Sequence, residues 1–554
     1  MTTIDPTLTA TADSVRIEII GNALESISDE MNEALIRTSY SPNVKERRDS
    51  TAGLFNLEGV SLAQAEHVPM HLASMIGIVN AVRERYPLED IRDGDSFLGN
   101  DPHTGGATHL PDITLVTPIF VDGELAAWAV NCAHHADYAD RGHEHIFQEG
   151  LRFPAVRLLR DWTYERDVLD IFLLNMQVPT ERIADLDAQL ASNRLGVNRY
   201  RDICARYGRA AVDAAGRELL DYSERKLRAG IRTVPNGVYE FTDEFDSNEF
   251  EGTFEISLRM TVEDDHIIFD FDGPPQARAS YNMVRSALLC SVWYAAKTVV
   301  GPGIPSNGAL ERALVVNAPL GSVLNCVAPA AVYGRIDLAQ RVVDLVHGAF
   351  AQVVPERVLA ASNGAVTGLH FSGVDPRTDR YYVYVETIGG GYGAGAHFDG
   401  LDGVHAHLTN TSNLPVEALE GEYPLRVLEY SLVDGSGGVG TYRGGMGLRR
   451  VITVEHDDCT VDVVMSRLIT RPWGLEGGRP AAPSELRVND QLAGTQRAFP
   501  FEAGDRVSVQ TAGGGGYGNP ADRNPEAIAR DLREGRIDAA TATSYGTAAS
   551  KRSI

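Results

Sequence analysis

Apolar residues recur at steps of three and four near the start of the chain, which is the spacing of one buried face of an α-helix. The positions that carry this spacing are Ile17, Ile20, Leu24, Ile27, Met31 and Leu35. Asp13 or Ser14 is suited to cap the helix, and it should end before Ser41-Pro42. The apolar pair Leu54-Phe55 then predicts a short strand, so Asp49 is expected beside the beginning of that strand.

Strand patterns follow from about residue 95. Two apolar, β-branched runs, Ile113 to Phe120 and Leu125 to Cys132, flank the turn residues Asp122-Gly123. This arrangement predicts a β-hairpin. Helical spacing returns between residues 180 and 229, which predicts a helical layer over the sheet.

The rest of the chain mixes both patterns. Short alternating runs predict strands at Phe254 to Met260 and His266 to Asp272, an apolar helix is expected from Val284 to Val300, and a β-rich stretch from about 430 to 512. We therefore predict a mixed α+β fold of several layers, with large β-rich units and packed helices. The expected division is 14–234, an N-terminal α/β unit with the candidate metal site; 235–429, a middle mixed α/β unit with glycine-rich loops; 430–540, a C-terminal β-rich unit with a terminal helix from 525; and 541–554, a polar tail.

Charge and composition exclude several classes of function. The formal charge of −26 over 554 residues repels polyanions, so nucleic acid is not an expected partner. The five cysteines are widely spaced and never form a CxxC pair, which fits a reducing cytoplasm. Neither a signal peptide nor an apolar stretch of membrane-spanning length is evident, so we expect no membrane association.

Potential metal ligands concentrate where glycine-rich loops meet the predicted hairpin. His109 and Asp112 are separated by a turn containing Pro111, and the hairpin returns the chain to the same place at His134 or His135. Successive strand residues face opposite ways, so only one of this pair can join His109, and we favour His134, with Asp49 as a fourth ligand. Imidazole and carboxylate ligands without thiolate suit Zn²⁺ or Mn²⁺. The alternative is that these histidines only hydrogen-bond within a polar loop.

An ordered set of motifs runs through the chain. It comprises Glu46-Arg-Arg-Asp49, Asn100-Asp-Pro102, Gly105-Gly106, Thr108-His-Leu-Pro-Asp112, His134-His135-Ala-Asp137, Ser280-Tyr-Asn282, Pro305-Ser-Asn-Gly308, Glu386 to Gly391, Asn410-Thr-Ser-Asn413, Pro415-Val-Glu417 and Ala512 to Pro520. Over roughly residues 14 to 540 this set resembles the hydantoinase B/oxoprolinase family, which is related to subunits of acetone and acetophenone carboxylases and of an ATP-dependent lactamase.

The resemblance implies a divalent metal, Zn most readily and Mn as the alternative, held at Asp49, His109, Asp112 and His134. His135 and Asp137 lie beside these positions and are candidates for orienting ligands or carrying protons. Asn282, Asn307 and the loop Gly389, Gly390 and Gly391 are candidates for contacting polar groups of a substrate.

The function implied is that of a B-type subunit of an ATP-dependent cyclic-amide hydrolase, of the hydantoinase, N-methylhydantoinase or oxoprolinase type. A metal-bound water would open a ring that a partner chain has phosphorylated. No GxxxxGK[ST] motif occurs, so ATP would be used on a hydantoinase A-type subunit, in an (αβ)2 hetero-oligomer. Two alternatives stay open: a subunit of an ATP-dependent ketone carboxylase, and a non-catalytic structural subunit.

Two other patterns are interpreted as structural. Gly435 to Gly440 matches GxGxxG, but no helix follows it. Gly513 to Gly518 also matches and precedes a helix, but Asn519-Pro520 intervenes and no ribose-binding acidic residue can follow in a βαβ unit. The pairs His143-Glu-His145 and His405-Ala-His407 resemble ligands of barrel-type hydantoinases, but no eightfold βα alternation follows them. We interpret them as histidines of polar loops.

Overall fold

The computed structural model describes residues 6–135 and 142–545. Within that part of the chain, four sheets and eleven helices form a mixed α+β fold, as predicted. None of the helices described is both long enough and apolar enough to span a membrane.

The first sheet has seven strands in the order β2-β1-β5-β4-β3-β6-β7, and all neighbours are antiparallel. The strands are β1 Ser50–Phe55, β2 Ser61–Gln64, β3 Ser96–Gly99, β4 Asp112–Val121, β5 Glu124–His134, β6 Val156–Arg160 and β7 Thr163–Tyr164. The predicted hairpin at Asp122-Gly123 is confirmed as β4 and β5, and the predicted strand after Asp49 is β1.

Helices cover this sheet. They are α1 Pro6–Thr38, α2 Pro42–Lys45, α3 Ile78–Arg85, α4 Arg166–Asn175, α5 Pro179–Tyr207 and α6 Arg209–Ile231. The apolar face of α1 packs with α5 on small residues of β1 and β5, including Ala52 and Ala129, while α3 covers Trp128 and Val130 on the opposite face. The predicted cap at Asp13 or Ser14 is wrong, because the helix begins at Pro6, and proline is tolerated in a first helical turn.

The second sheet has the order β11-β10-β9-β8 and packs against two helices. Its strands are β8 Gly237–Phe245, β9 Phe254–Glu263, β10 His266–Asp272 and β11 Leu314–Asn317, and the helices are α7 Arg285–Val300 and α8 Arg335–Ala351. These elements enclose the largest apolar core. The predicted apolar helix, Val284 to Val300, is confirmed as α7, which is buried on most sides because it lies inside this core.

Two further sheets share a core, in the manner of a β-sandwich. One has the order β13-β12-β16-β19 and the other β14-β15-β20-β17-β18. The strands are β12 Thr367–Asp375, β13 Arg380–Ile388, β14 Leu425–Leu432, β15 Leu448–Val454, β16 Cys459–Val464, β17 Glu485–Val488, β18 Gln491–Leu492, β19 Ala498–Phe501 and β20 Arg506–Gln510, with helices α9 Val416–Glu422, α10 Pro525–Arg533 and α11 Ala539–Thr543. The expected terminal helix from 525 is confirmed as α10.

The chain order of these elements bears on the expected units. Strands β12 and β13 precede residue 430, yet they share a sheet with β16 and β19, which follow it. Beyond α11, the side chain of Tyr545 is buried and packs with Val439 and Ile537. The division into four units stays a prediction.

Glycine-rich segments pack backbone against backbone beside the sandwich. Gly391 donates its N–H to the carbonyl of Ala512, Gly514 donates to Gly445, and Gly445 donates to Tyr392. A Cβ on Gly391 would overlap the backbone of Gly445 and Gly514. Glycine is therefore required here because only a backbone without side chains can approach three neighbouring segments so closely.

Candidate metal site

Three neighbouring strands end at one edge of the first sheet. The strand β5 lies between β1 and β4, and Asp112 at the start of β4 lies opposite His134 at the end of β5. On the other side, His134 donates its backbone N–H to the carbonyl of Asp49, 3.0 Å away, just before β1 begins. The antiparallel pairing thus brings together Asp49, Asp112 and His134, which are far apart in the sequence.

His109 joins this edge through the short turn before β4. The N–H of Asp112 donates to the carbonyl of His109 at 3.2 Å, and this turn directs the imidazole back toward its own strand. His109 Nε2 lies 3.2 Å from Asp112 Oδ1, and the rings of His109 and His134 are 4.9 Å apart between centroids. Potential ligand atoms of His109, Asp112 and His134 all lie within 4.8 Å of one another.

The chemistry of this cluster fits a divalent cation. All three side chains are buried. Apart from the 3.2 Å approach of His109 Nε2 to Asp112 Oδ1, neither ring nitrogen of His109 nor that oxygen has a hydrogen-bond partner among the described residues, and polar atoms buried in this way are uncommon unless a ligand satisfies them. The second oxygen of Asp112 accepts from Thr108 at 3.2 Å, and Arg335 lies 3.4 Å from the same oxygen. Two imidazoles and a carboxylate are suitable donors for Zn²⁺ or Mn²⁺.

Asp49 lies beside this cluster, and its carboxylate is hydrogen-bonded to His71. His71 Nε2 lies 3.1 Å from Asp49 Oδ1, and His71 Nδ1 lies 3.0 Å from Ser74 Oγ. Burial opposes ionisation of Asp49, but the bond to His71 and the charges of His134, His71 and Arg47 hold its pKa below the ordinary value. Burial also opposes protonation of His71, but Cys132, Asp49 and Asp112 raise its pKa well above the ordinary value. Asp49 is thus held as a carboxylate at the rim of the three-residue cluster.

His71 also belongs to a second group of potential ligands. Donor atoms of His71, Asp112 and Cys132 lie within 4.8 Å of one another and all three residues are buried. This group would offer a thiol, which the first group does not contain. Both groups contain Asp112, so a bound ion is assigned to one or the other by whether sulfur is among its ligands.

The cavity beside the cluster lies between the first sheet and the sandwich. Its volume is about 80 Å³, room for an ion and a few waters or a small molecule. One wall is a face of β12 and β13, where Gly368 lies opposite Thr387 and His370 lies opposite Val385. The start of α8 and Arg47 form other parts of the wall, together with Thr409 and Thr411. The cavity is therefore assembled from distant parts of the chain.

A chain of hydrogen bonds begins at the cavity wall with Tyr333. Its hydroxyl lies 3.0 Å from His370 Nε2, and His370 Nδ1 lies 3.2 Å from Asp462 Oδ2. Asp462 is in turn held by two bonds from Arg497, of 2.6 and 3.0 Å. Burial opposes ionisation of Asp462, but Arg497 and His370 keep its pKa below the ordinary value. His370 therefore fixes the orientation of the Tyr333 hydroxyl, and the buried ion pair of Asp462 and Arg497 holds His370 in place.

The other predicted site residues lie apart from the cavity lining. His135 points to the opposite face of the sheet, where its Nε2 lies 2.9 Å from Gln189 Oε1 under α5, and burial lowers its pKa to about 4. Asp137 lies outside the described residues. Asn282 bonds to the backbone of Ala277, Ala279 and Ala331, and Asn307 caps a short helical turn and bonds Ser223.

Gly389, Gly390 and Gly391 are buried in the glycine-rich packing, where added Cβ atoms would meet neighbouring chain segments. Among the described residues that line the cavity, these three glycines, Asn282 and Asn307 do not occur. Their side chains or backbones make contacts with other parts of this chain. We therefore do not assign substrate contacts to them.

Several cavity residues were not singled out by the sequence analysis. Arg47 and Thr411 lie within two of the quoted motifs, so the signal was present but not assigned to them. His71 follows Pro69-Met70 as an isolated histidine, and Tyr333 and Arg335 lie in a segment without a recognisable motif. The histidines of the two His-x-His pairs are largely enclosed: His143 stacks on Tyr333 at 4.4 Å, and His405 lies within 3.4 Å of Thr409 and Thr411.

The fold and the cluster define a multi-layer α+β protein with a candidate metal centre at an edge of its first sheet. A sequence model of the family Hydantoinase B/oxoprolinase matches residues 13–520, and the chain belongs to that family. This confirms the resemblance that the motifs indicate.

Curated relatives extend over nearly the whole chain. An uncharacterized protein of Methanocaldococcus jannaschii is 36% identical, over 95% of this chain and 94% of its own length. A protein of a Pseudomonas species, provisionally named as the B-type subunit of a D-/L-hydantoinase, is 31% identical over 95% of this chain and 93% of its own. The 5-oxoprolinase 1 of Arabidopsis thaliana is 30% identical over 92% of this chain, which corresponds to only 42% of that protein.

Two solved structures share the fold. The ATP-dependent caprolactamase from Pseudomonas jessenii superposes with a TM-score of 0.89 and 27% identity, covering 98% of this chain and 96% of that chain. A nucleotide-free structure of acetone carboxylase superposes with a TM-score of 0.88 at 20% identity, covering 96% of this chain and 79% of that one. The second likeness concerns the fold alone.

We expect the purified protein to contain about one Zn or Mn ion per chain, and His109→Ala to lose it, because the substitution removes one imidazole from the cluster. Plasma mass spectrometry of the two proteins measures this. His266→Ala is a matched control, since His266 is half exposed beside Glu263 at the surface. Equal metal content in folded wild type and His109→Ala would contradict the assignment.

Proposed function

We propose that this chain is the ring-opening subunit of an ATP-dependent cyclic-amide hydrolase. The observation that carries the proposal is the buried cluster of His109, Asp112 and His134, which faces a cavity of small-molecule size. Membership of the family and the likeness to an ATP-dependent caprolactamase over almost the whole of both chains support it. Zn²⁺ is the favoured ion and Mn²⁺ the alternative, with Asp49 completing the ligand set.

In the proposed reaction, a partner transfers the γ-phosphoryl group of ATP to the carbonyl oxygen of the ring amide. Phosphorylation makes the carbon more electrophilic, because the phosphoryl group withdraws electron density from the C–O unit onto which the amide nitrogen otherwise delocalises its lone pair. Water adds to that carbon, and the C–N bond breaks as the nitrogen takes up a proton. The resulting acyl phosphate is then hydrolysed by a second water to a carboxylate and inorganic phosphate.

This chain would contribute binding, orientation and protons. A divalent cation at the cluster supplies Lewis acidity and lowers the pKa of water. Thr108 and Arg335 contact one oxygen of Asp112, and His71 is hydrogen-bonded to Asp49, so both carboxylates keep fixed directions. The walls of the partly open cavity would limit access of bulk water to the activated ring.

We assign proton donation to Tyr333 rather than to His135. Tyr333 lines the cavity and its hydroxyl is held by His370, whereas His135 lies on the far face of the sheet. The O–H of Tyr333 donates to the departing nitrogen, and the His370–Asp462 pair replaces that proton. The hydrogen bond between the two residues sets the direction of the transfer.

The proposal includes a separate ATP-using partner of the hydantoinase A type, with an (αβ)2 assembly. The Pseudomonas relative is named as one subunit of a hydantoinase, which implies a second. This chain matches 42% of 5-oxoprolinase 1. In the proposal, a second polypeptide carries the ATP-using part.

We expect the complex with its partner to open at least one ring among hydantoin, N-methylhydantoin, 5-oxoproline and caprolactam, and only when ATP is present. Chromatographic measurement of the ring-opened acid, with ADP measured in parallel, tests this. The His109→Ala complex should form no ring-opened product. Bicarbonate-dependent carboxylation of acetone or acetophenone, without ring opening, would contradict the proposal and favour a ketone carboxylase. Unchanged ring opening by folded His109→Ala would favour a structural role for the cluster.

We expect Tyr333→Phe to lower kcat about 100-fold or more, the scale of general acid catalysis, with little change in KM. The substitution removes one oxygen and keeps the ring that stacks on His143. Tyr222→Phe is the control, because Tyr222 is exposed on α6. A wild-type kcat and pH profile in Tyr333→Phe would exclude the proton-donor role.

A further inference from the structure

Arg47 differs from every other buried arginine that the structure describes. Its exposed fraction is 4%, and none of the described carboxylates lies within ion-pair distance of it. The remaining buried arginines each have such a partner within 4.0 Å: Arg182, Arg335, Arg341, Arg443, Arg450, Arg467 and Arg523. Asp49 acts on Arg47 only at longer range, and an enclosed guanidinium with no carboxylate in direct contact is costly, which points to an anionic ligand.

The contacts of Arg47 use only part of its donor capacity. Nη1 donates to Asn43 Oδ1 at 3.2 Å and approaches the carbonyl of Val385 at 3.5 Å. Nε makes no hydrogen bond to any described residue. Arg47 lines the cavity that contains the metal cluster, so its remaining donors are available there.

Threonine hydroxyls lie on the same cavity wall. Thr387 Oγ1 and Thr411 Oγ1 are 2.8 Å apart, so one of the two hydroxyls donates to the other and the second keeps its proton for another acceptor. His405 supports this pair from behind, with Nε2 3.4 Å from Thr411 Oγ1. A guanidinium beside oriented hydroxyls is a donor set that suits an oxyanion.

The charge balance of the cavity favours the same ligand. Counting only the aspartates and arginines of the lining, Asp49 and Asp112 balance Arg47 and Arg335. A divalent cation at the cluster would therefore leave a net positive charge. The start of α8, a helix of 17 residues, also borders the cavity and adds a positive dipole end.

We propose that Arg47, with Thr387 and Thr411, forms a subsite for the phosphoryl group of the activated ring. The inference rests on the proposed function, because that function supplies a phosphorylated substrate. Arg47 binds two phosphoryl oxygens and the threonine pair binds the third, which turns the ring carbon toward the metal cluster. The same contacts hold the acyl phosphate after the ring has opened. Inorganic phosphate leaves the subsite after the acyl phosphate has been hydrolysed.

Inorganic phosphate is the probe for this subsite, measured by titration calorimetry on the full-length, zinc-loaded chain. We expect Arg47→Gln to weaken phosphate binding about tenfold or more, the size of a lost charge-assisted hydrogen bond. Arg47→Lys keeps the charge but not the planar donors, so its phosphate affinity should lie between those of the wild type and Arg47→Gln. Arg48→Gln is the matched control, since the neighbouring Arg48 is exposed. Metal content is measured for each protein, so that phosphate binding to the zinc ion can be separated from binding to Arg47.

Thr411→Val keeps the side-chain volume and removes one hydroxyl, so it tests the subsite even if Arg47→Gln does not fold. We expect phosphate binding to weaken several-fold in this variant. Phosphate affinity equal to wild type in Arg47→Lys and Thr411→Val would overturn the subsite. Binding of acetate in place of phosphate would also overturn it, because the ligand would then be a carboxylate.

The binding measurement needs neither the partner nor the ring. Phosphate binding that depends on Arg47, in a protein whose complex opens no ring, would support the subsite and refute the proposed function. Ring opening with phosphate binding unaffected by Arg47→Gln would refute the subsite and leave the proposed function intact.

Discussion

The register between β4 and β5 determines where the candidate ligands lie. Asp112 is opposite His134, and a shift of one residue would turn His134 toward α5, on the face where His135 now lies. The hairpin turn at Asp122-Gly123 and the alanine-rich packing under α1 and α5 fix this register. Because β1 pairs with the other side of β5, the same register also brings Asp49 to the cluster.

The second half of the cavity depends on the sandwich packing against that sheet edge. Along β12, Leu369 and Phe371 face the sandwich core, while Gly368 and His370 face the cavity. One strand thus contributes both to the core and to the site. Neither half encloses a cavity alone, so proton donation and anion binding would both depend on the contact between these layers, whereas the proposed metal ligands all lie at the edge of the first sheet.

Periodic patterns allowed much of the fold to be predicted, including α1, the β4–β5 hairpin and α7. The relation of His109, Asp112 and His134 could also be predicted, because a short turn and a hairpin connect them, and strand parity correctly separated His134 from His135. His71, Arg335 and Tyr333 could not, because tertiary packing alone brings them to the cavity. Gly389 to Gly391 were predicted to contact a substrate, because the sequence does not specify that the group that approaches these glycines is another glycine segment.

The kind of atom bound to the metal tests the central claim most directly, because only the second group, His71, Asp112 and Cys132, contains sulfur. X-ray absorption fine structure of the protein loaded with one equivalent of Zn²⁺ measures it. The account predicts nitrogen and oxygen neighbours at about 2.0–2.2 Å and no sulfur shell. A sulfur neighbour at about 2.3 Å would contradict it and assign the ion to Cys132 instead.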